Sequence, residues 1–322
     1  MTLGIWFEPE MVSPDSDLYR AHPDWCLHID GRPRSEGRQQ LMLNLSRKEV
    51  CDYLYDSIAA VLKNGAISYV KWDFNRNMSE VGSGNLPADR QQEVSHRYYL
   101  GLYSLLERLV TDFPDVLFES CSGGGGRFDC GMLYYMPQTW TSDNSDAIER
   151  LPIQHGTSLV YPLSSMSAHV SASPNHQTGH VTPFDTRFNV AFTGSFGYEL
   201  DPTALSEEEQ SLVRRTAEFY KKYSHVAANG RYFRLRSCYE GDCAAWEYIS
   251  DDDSICIAEY ILTHVRIYPH YERLKLKGLD PDARYRDDSG NQYTGSELMG
   301  YGIPVDLTYE YSSKMWVLEK IK

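Results

Sequence analysis

The sequence predicts an α/β fold: a TIM-type (β/α)8 barrel lacking its first two β/α units, followed by a small antiparallel β-sandwich domain. Three observations carry this expectation. Over residues 1–228 short apolar runs alternate with amphipathic helical stretches, the pattern of repeated β/α units around a parallel sheet. That region holds about six strand signals where a complete barrel needs eight, and its first residues already read as a strand, so the missing units would precede Met1. After Asn229-Gly230 the texture changes to short Tyr-, Ile- and Val-rich runs separated by Gly, Asp, Asn and Ser clusters, the spacing of antiparallel β structure. The expected domains are therefore a partial barrel over 1–228 and a sandwich over 229–322.

The strand candidates are Gly4 to Glu8, Ile67 to Asp73, Val116 to Ser120, Gln138 to Ser142, Ser167 to Val170 and Val190 to Phe196. Between the first two, Ser46 and Glu49 have capping-box spacing, and Val50, Leu54, Ile58, Val61 and Leu62 then form one helical face. In the next helix Tyr98, Leu102, Leu105, Leu106, Leu109, Val110 and Phe113 recur at three- and four-residue spacing, and Pro114 stops it. A third helix opens at Ser206, with Glu209 completing a second capping box, and runs to about Val226. Strand-like runs follow at Ala245 to Ile249, Ile255 to Ile261, Val265 to Tyr268 and Met315 to Ile321.

Composition excludes several classes. In a chain of 322 residues, 42% hydrophobic and 24% charged content matches globular usage and argues against disorder. The formal charge of −14 repels phosphate backbones and anionic lipid, so neither nucleic acid nor a membrane is an expected partner. No apolar run is long enough to span a bilayer, and the start MTLGIWFEPEMV lacks the basic and apolar regions of a signal peptide. The seven cysteines are odd in number and show no paired C-x-x-C spacing, which fits a reduced, cytoplasmic chain. With 24 Tyr and 6 Trp, the 13% aromatic content is compatible with sugar stacking, and core packing explains it equally well.

The chemistry concentrates at strand ends. In YVKWDFNR (Tyr69 to Arg76), period-two alternation brings Lys71, Asp73 and Asn75 to one side of a strand and toward its C-terminal end, where barrel enzymes place catalysis. The plainer alternative is a Lys71–Asp73 ion pair bracing the barrel mouth. In WTSDNSDAIER (Trp140 to Arg150), Asp146 and Glu149 have N-cap and N3 spacing, so Asp146 has a capping task. Asp143 has none, and its choices are a carboxyl facing the same cavity as Asp73 or an Asx-turn. Two carboxyls on different strand ends suit glycoside cleavage: about 5–5.5 Å between them gives retention, about 6.5–9.5 Å inversion.

FESCSGGGGRFDCG (Phe118 to Gly131) places four glycines after a strand, allowing positive φ and close backbone approach to a ligand. A phosphate loop is disfavoured because GK[ST] is absent and Arg127 follows instead. The glycines equally make room for a pyranose near Cys121 and Gly123, or simply a tight turn. Near the start, Trp6 ends a strand beside Glu8 and Glu10, with Arg38 in the polar loop beyond. Glu8 and Glu10 are open as metal ligands or catalytic acids, or Glu8 simply braces the barrel mouth, but no metal-site spacing is present. His169 and His176 read as hydrogen-bonded loop residues, and no G-x-S-x-G marks a nucleophilic serine.

Taken together, GIWFEPEMVSPDSDLYRAHPDW, YVKWDFNR, ESCSGGGGRFDCG, WTSDNSDAIERL and FGYELD closely resemble glycoside hydrolase family 36, whose best-known members are microbial α-galactosidases. The resemblance spans nearly the whole chain. It implies a retaining double displacement with Asp73 as nucleophile and Asp143 as acid/base. It further implies that Trp6, Arg38, Lys71, Asn75, Cys121 and Gly123 contact substrate, with the Cys121–Gly123 segment near the sugar 2-position, favouring galactose over N-acetylgalactosamine. The implied reaction removes terminal α-linked galactose from oligosaccharides such as melibiose or raffinose, with no cofactor and no metal. One departure stands out. Complete members carry an N-terminal β-sandwich and two further barrel strands, one with an adjacent aspartate pair that grips the galactose. No counterpart occurs here, because Asp251-Asp252 and Asp287-Asp288 lie in the C-terminal β region. The expectation is the rear part of such an enzyme, with two open strand edges that favour association, into a homo-oligomer or an aggregate. The alternatives are an α-N-acetylgalactosaminidase, a galactosyl-transferring relative, or a catalytically silent fragment.

Overall fold

The computed structural model describes residues 2–267 and 271–321. Two compact units divide it, residues 1–140 and 141–322.

In the first unit β1 (Leu3–Phe7), β2 (Ile67–Asp73), β3 (Leu117–Cys121) and β4 (Gln138–Trp140) lie side by side in that order, all parallel. Successive side chains on a strand point to opposite faces. One face therefore carries Val70, Trp72 and Phe118, all essentially inaccessible, into a core built with helices α1 (Lys48–Asn64) and α2 (Val94–Asp112). The other face carries Tyr69, Lys71 and Asp73 from β2 and Glu119 and Cys121 from β3. The register sets Trp6 beside Lys71, Lys71 beside Glu119, and Glu119 beside Gln138, which aligns polar residues in a row across the strands; Asp73 stands beside Cys121 one step nearer the strand ends. β1 pairs with β2 alone among the described residues, and on it Leu3 is 59% and Trp6 49% exposed.

In the second unit β5 (Met166–Ser171) and β6 (Ser195–Glu199) are a parallel pair, accompanied by α3 (Ala147–Thr157), α4 (Phe184–Phe192) and α5 (Glu207–Asn229). The strands β7 (Arg231–Arg236), β8 (Cys243–Ile249), β9 (Ile255–Leu262), β11 (Arg284–Arg286), β12 (Gln292–Thr294) and β14 (Ser313–Ile321) make an antiparallel sheet in the order β12-β11-β14-β9-β8-β7; β10 (Glu272–Leu274) and β13 (Ile303–Val305) make a second. One face of the larger sheet packs with Leu274 and Ile303 of the smaller, which is the expected sandwich. The opposite face, with Trp246, Tyr248 and Ile257, packs on Tyr223 and Val226 of α5.

Several expectations need correction. Val190 to Phe196 is not a strand: Val190, Ala191 and Phe192 end α4, and the strand begins at Ser195. The Ser46 capping box does not form, because α1 starts at Lys48 with Arg47 as N-cap, and Ser46 Oγ donates to Asn44 Oδ1 instead. On α1, Val50, Leu54, Ile58 and Leu62 are buried as expected, but Val61 is exposed. Gln138 to Ser142 is strand only to Trp140. Residues 265–267 form no strand, and Tyr268, which completes that expected run, lies outside the described residues. The Ser206–Glu209 capping box is present in full.

Candidate active site

Asp73 ends β2, is 6% exposed, and accepts three hydrogen bonds. Trp6 Nε1 donates to Oδ2 at 3.0 Å, the backbone N–H of Phe74 donates to Oδ1 at 2.9 Å, and the thiol of neighbouring Cys121 donates to the same carboxyl. Burial pushes the Cys121 thiol up to about 12, and the Asp73 carboxylate adds to the effect, so this cysteine is a neutral donor at ordinary pH. Three neutral donors from three places in the sequence thus fix both carboxylate oxygens.

One step further from the strand end, Lys71 Nζ lies 3.7 Å from Glu119 Oε1 and 5.2 Å from the centre of the Trp140 ring. The expected alternative of a Lys71–Asp73 ion pair is therefore replaced by a Lys71–Glu119 pair. Glu119, 2% exposed, also receives the Tyr69 hydroxyl and Gln138 Nε2. Burial of the Tyr69 phenol itself, and then the charge and hydrogen bond of Glu119, raise its pKa far above the ordinary range.

Asn75 is not on the strand, which stops at Asp73, but reaches the same rim from the loop. Asn75 Nδ2 donates to Glu8 Oε1 at 2.7 Å, and Asn75 Oδ1 accepts the Gly123 N–H at 3.1 Å. Gly123 adopts φ +53 and Gly124 φ +82, the left-handed region that favours glycine, and this turns the Gly123 N–H toward Asn75. Glu8 also accepts Gln40 Nε2 at 3.2 Å, and Arg38 Nη2 stands 3.7 Å from Glu8 Oε1 with its side chain 59% exposed. Glu8 is thus a brace that gathers Arg38, Gln40 and Asn75. In this first unit the expected positions Trp6, Arg38, Lys71, Asp73, Asn75, Cys121 and Gly123 form connected sets along one strand-end rim.

Glu10 is neither catalytic acid nor metal ligand. It has no exposed surface, is gripped by both terminal nitrogens of Arg127 at 2.8 and 3.0 Å, and accepts Trp72 Nε1 and the Tyr98 hydroxyl. Arg127, which follows the four glycines, therefore turns into the core, which removes any phosphate-loop reading. Among the described residues no group of three or more His, Cys, Asp or Glu is arranged to hold a metal ion, and no helix is long and apolar enough to cross a membrane.

In the second unit Asp143 is exposed on the loop before α3, between tightly held neighbours. Buried Arg150 donates to Ser142 O at 3.0 Å, Thr141 Oγ1 at 2.9 Å and Ser167 O at 2.9 Å. Gln177 Nε2 donates to Asp143 O, while Gln177 Oε1 accepts the Ser145 N–H, each at 2.9 Å. Asp146 caps α3 as its spacing implies, accepting the N–H groups of Ile148 and Glu149. Burial works against its charge, but Thr178, these amides and His180 outweigh it and hold the carboxyl below its ordinary range. His169 is not a loop residue as expected but lies within β5, 3.5 Å from Glu199 of β6, while His176 is exposed on the loop that follows. Sequence reasoning did not single out Glu119, Gln138, Arg150 or Gln177. Only the strand register and the loop pairing reveal them.

Residues 1–230 match the Melibiase family model, and residues 243–318 match the glycosyl hydrolase family 36 C-terminal domain. The chain therefore belongs to the melibiase family within glycosyl hydrolase family 36. It is 51% identical over its full length to the α-galactosidase AgaA of Geobacillus stearothermophilus, covering 44% of that protein, and 45% identical to the α-galactosidase Mel36A of Lactobacillus acidophilus, again covering 44%. The crystal structure of AgaA superposes on the whole chain with a TM-score of 0.98, and variants of AgaA have been solved with raffinose and with stachyose. The fold class is thus a partial (β/α)8 barrel followed by an antiparallel β domain. The chain spans less than half the length of these relatives.

Proposed function

We propose that this chain supplies the catalytic carboxylates and much of the galactose pocket of a retaining α-galactosidase acting on oligosaccharides such as raffinose and stachyose, the ligands seen with AgaA. The observation that carries the proposal is Asp73: a buried carboxylate at the C-terminal end of a parallel strand, fixed by Trp6, the Phe74 amide and Cys121. A nucleophile must hold one orientation to meet the anomeric carbon in line, and this triple contact provides it. Asp73 forms the galactosyl ester as the glycosidic bond breaks, and Asp143 gives the leaving oxygen its proton. Asp143 then takes a proton from water as that water displaces Asp73, restoring both groups. Trp6, Arg38, Lys71, Asn75, Cys121 and Gly123 are the substrate contacts of this reading, and no cofactor or metal takes part. The domains are the barrel part over 1–228 and the sandwich over 229–322, in a cytoplasmic protein.

Hydrolysis of an aryl α-galactoside tests the reading. Asp73→Ala is expected to lose at least about a thousandfold in kcat with the fold intact by circular dichroism, as removal of a covalent nucleophile should. Unchanged turnover rules out the assignment.

A further inference from the structure

We propose that Gln177 is a positioning residue for Asp143: its side-chain amide fixes the backbone that follows that residue, at the Asp143 carbonyl and the Ser145 N–H, and so sets where the carboxyl points. This inference rests on the reading of Asp143 as the acid/base.

The Cα–Cβ direction of an exposed loop residue follows from the peptide planes that flank it, since those planes are rigid and only the φ and ψ between them are soft. Around Asp143 every flanking plane is tied. The carbonyl of Ser142 accepts from Arg150, the carbonyl of Asp143 accepts from Gln177 Nε2, and the N–H of Ser145 donates to Gln177 Oε1. The two ends of one amide thus close on residues 143 and 145 much as a neighbouring strand would. The orientation of that amide is forced by its partners, because a backbone carbonyl can only accept and a backbone N–H can only donate. Gln177 is itself located by its own N–H, which donates to Asn175 Oδ1 at 2.9 Å, while buried Asn175 reaches Ser145 Oγ at 3.2 Å.

Arg150, Ser171 Oγ and Asn175 already anchor the ends of the loop from the buried side, at Ser142 O, Ser145 O and Ser145 Oγ. Gln177 is exposed and adds nothing to the apolar core. Its bond to the Asp143 carbonyl therefore acts on the middle of the loop, and its loss should free the direction of one carboxyl rather than unfold the unit. A general acid depends on that direction, because proton transfer needs a donor–acceptor approach of about 2.6–3.2 Å.

Gln177→Ala and Gln177→Glu are compared with Asp143→Asn in the full chain. In protein labelled with 13C at aspartate carboxyls, the Asp143 resonance is the one that Asp143→Asn removes. Gln177→Ala is expected to shift or broaden it while the melting temperature stays within about 2 °C of the parent. Gln177→Glu keeps an acceptor for Ser145 but loses the donor to the Asp143 carbonyl, so it should move the same resonance. A resonance unchanged in both variants overturns the positioning role. Kinetics provide the second readout. Asp143→Asn should retain p-nitrophenyl α-galactoside, whose leaving group needs no proton, far better than raffinose. Gln177→Ala should show the same split in milder form, about a tenfold loss on raffinose with KM unchanged. If Asp143→Asn shows the split and Gln177→Ala loses both substrates equally, the positioning role falls. If Asp143→Asn shows no split, the acid/base reading falls, and the inference built on it falls with it.

Discussion

At Glu10 four hydrogen bonds, two from Arg127 and one each from Trp72 and Tyr98, satisfy a carboxylate with no exposed surface. Burial alone disfavours the Arg127 cation, yet the Glu10 charge and these contacts hold its pKa well above the ordinary value. Breaking such a pair from one side leaves a buried charge, so Arg127→Met is expected to cost about 3–5 kcal/mol in urea unfolding, and a loss below about 1 kcal/mol would show the pair to be dispensable. Glu247 illustrates the opposite case. It is fully buried on β8, and burial raises its pKa to about 8 despite the Lys277 N–H at 2.7 Å. The folded state keeps this proton up to about pH 8, whereas an unfolded glutamate releases it near 4.5, so stability falls as pH rises through that window. Glu259 on β9 is pushed in the same direction by burial. Glu247→Gln should match the parent near pH 4 and exceed its stability at pH 8.5; equal midpoints at both pH values would contradict the raised pKa. Neither burial was legible in the sequence. Glu10 and Glu8 differ by two positions, and only the helices that cover one of them separate core ion pair from rim brace.

The elements that alternate cleanly were legible, because period and punctuation agreed. β2 matches its expected span, since Tyr69, Lys71 and Asp73 face one way and Val70 and Trp72 the other. α4 was misread for a physical reason. Its polar residues Asp185, Thr186, Arg187 and Asn189 all precede Val190, so the closing run Val190 to Phe192 reads alone as a short apolar segment, which looks the same as a buried strand. The Ser46 capping box failed because Asn44 competes for the serine hydroxyl, and the helix begins one residue later than the spacing assumes. The Asp146 cap succeeded because nothing local competes with it. Asp146→Ala should therefore destabilise the chain by about 1–2 kcal/mol, read as a lower urea midpoint, since it removes the cap and the partner of Thr178 and His180 together. No change would mean that α3 is held by packing alone. Of the site, the residues at strand ends were readable from strand pattern and family resemblance. Glu119 and Gln177 were not, because their roles depend on register and on a meeting of loops distant in sequence.

For the whole molecule, the net charge of −14 favours solubility, while the edge of β1 that has no partner among the described residues, with Leu3 and Trp6 exposed, offers a row of backbone groups to another chain. We propose that the chain associates through this edge. Sedimentation velocity should show mass rising with concentration, and Leu3→Lys should shift it toward monomer; an ideal monomer at every concentration would contradict the edge as an interface. The central claim concerns one bond, the ester between galactose and Asp73. It is tested most directly by treating the protein with a 2-deoxy-2-fluoro-galactosyl fluoride that forms such an ester and hydrolyses it slowly, then mapping the adduct by peptide mass spectrometry. The predicted result is a single fluorogalactosyl group on the peptide containing Asp73, absent in Asp73→Ala. An adduct on another carboxylate, or a parent that hydrolyses α-galactosides without ever carrying one, would contradict it.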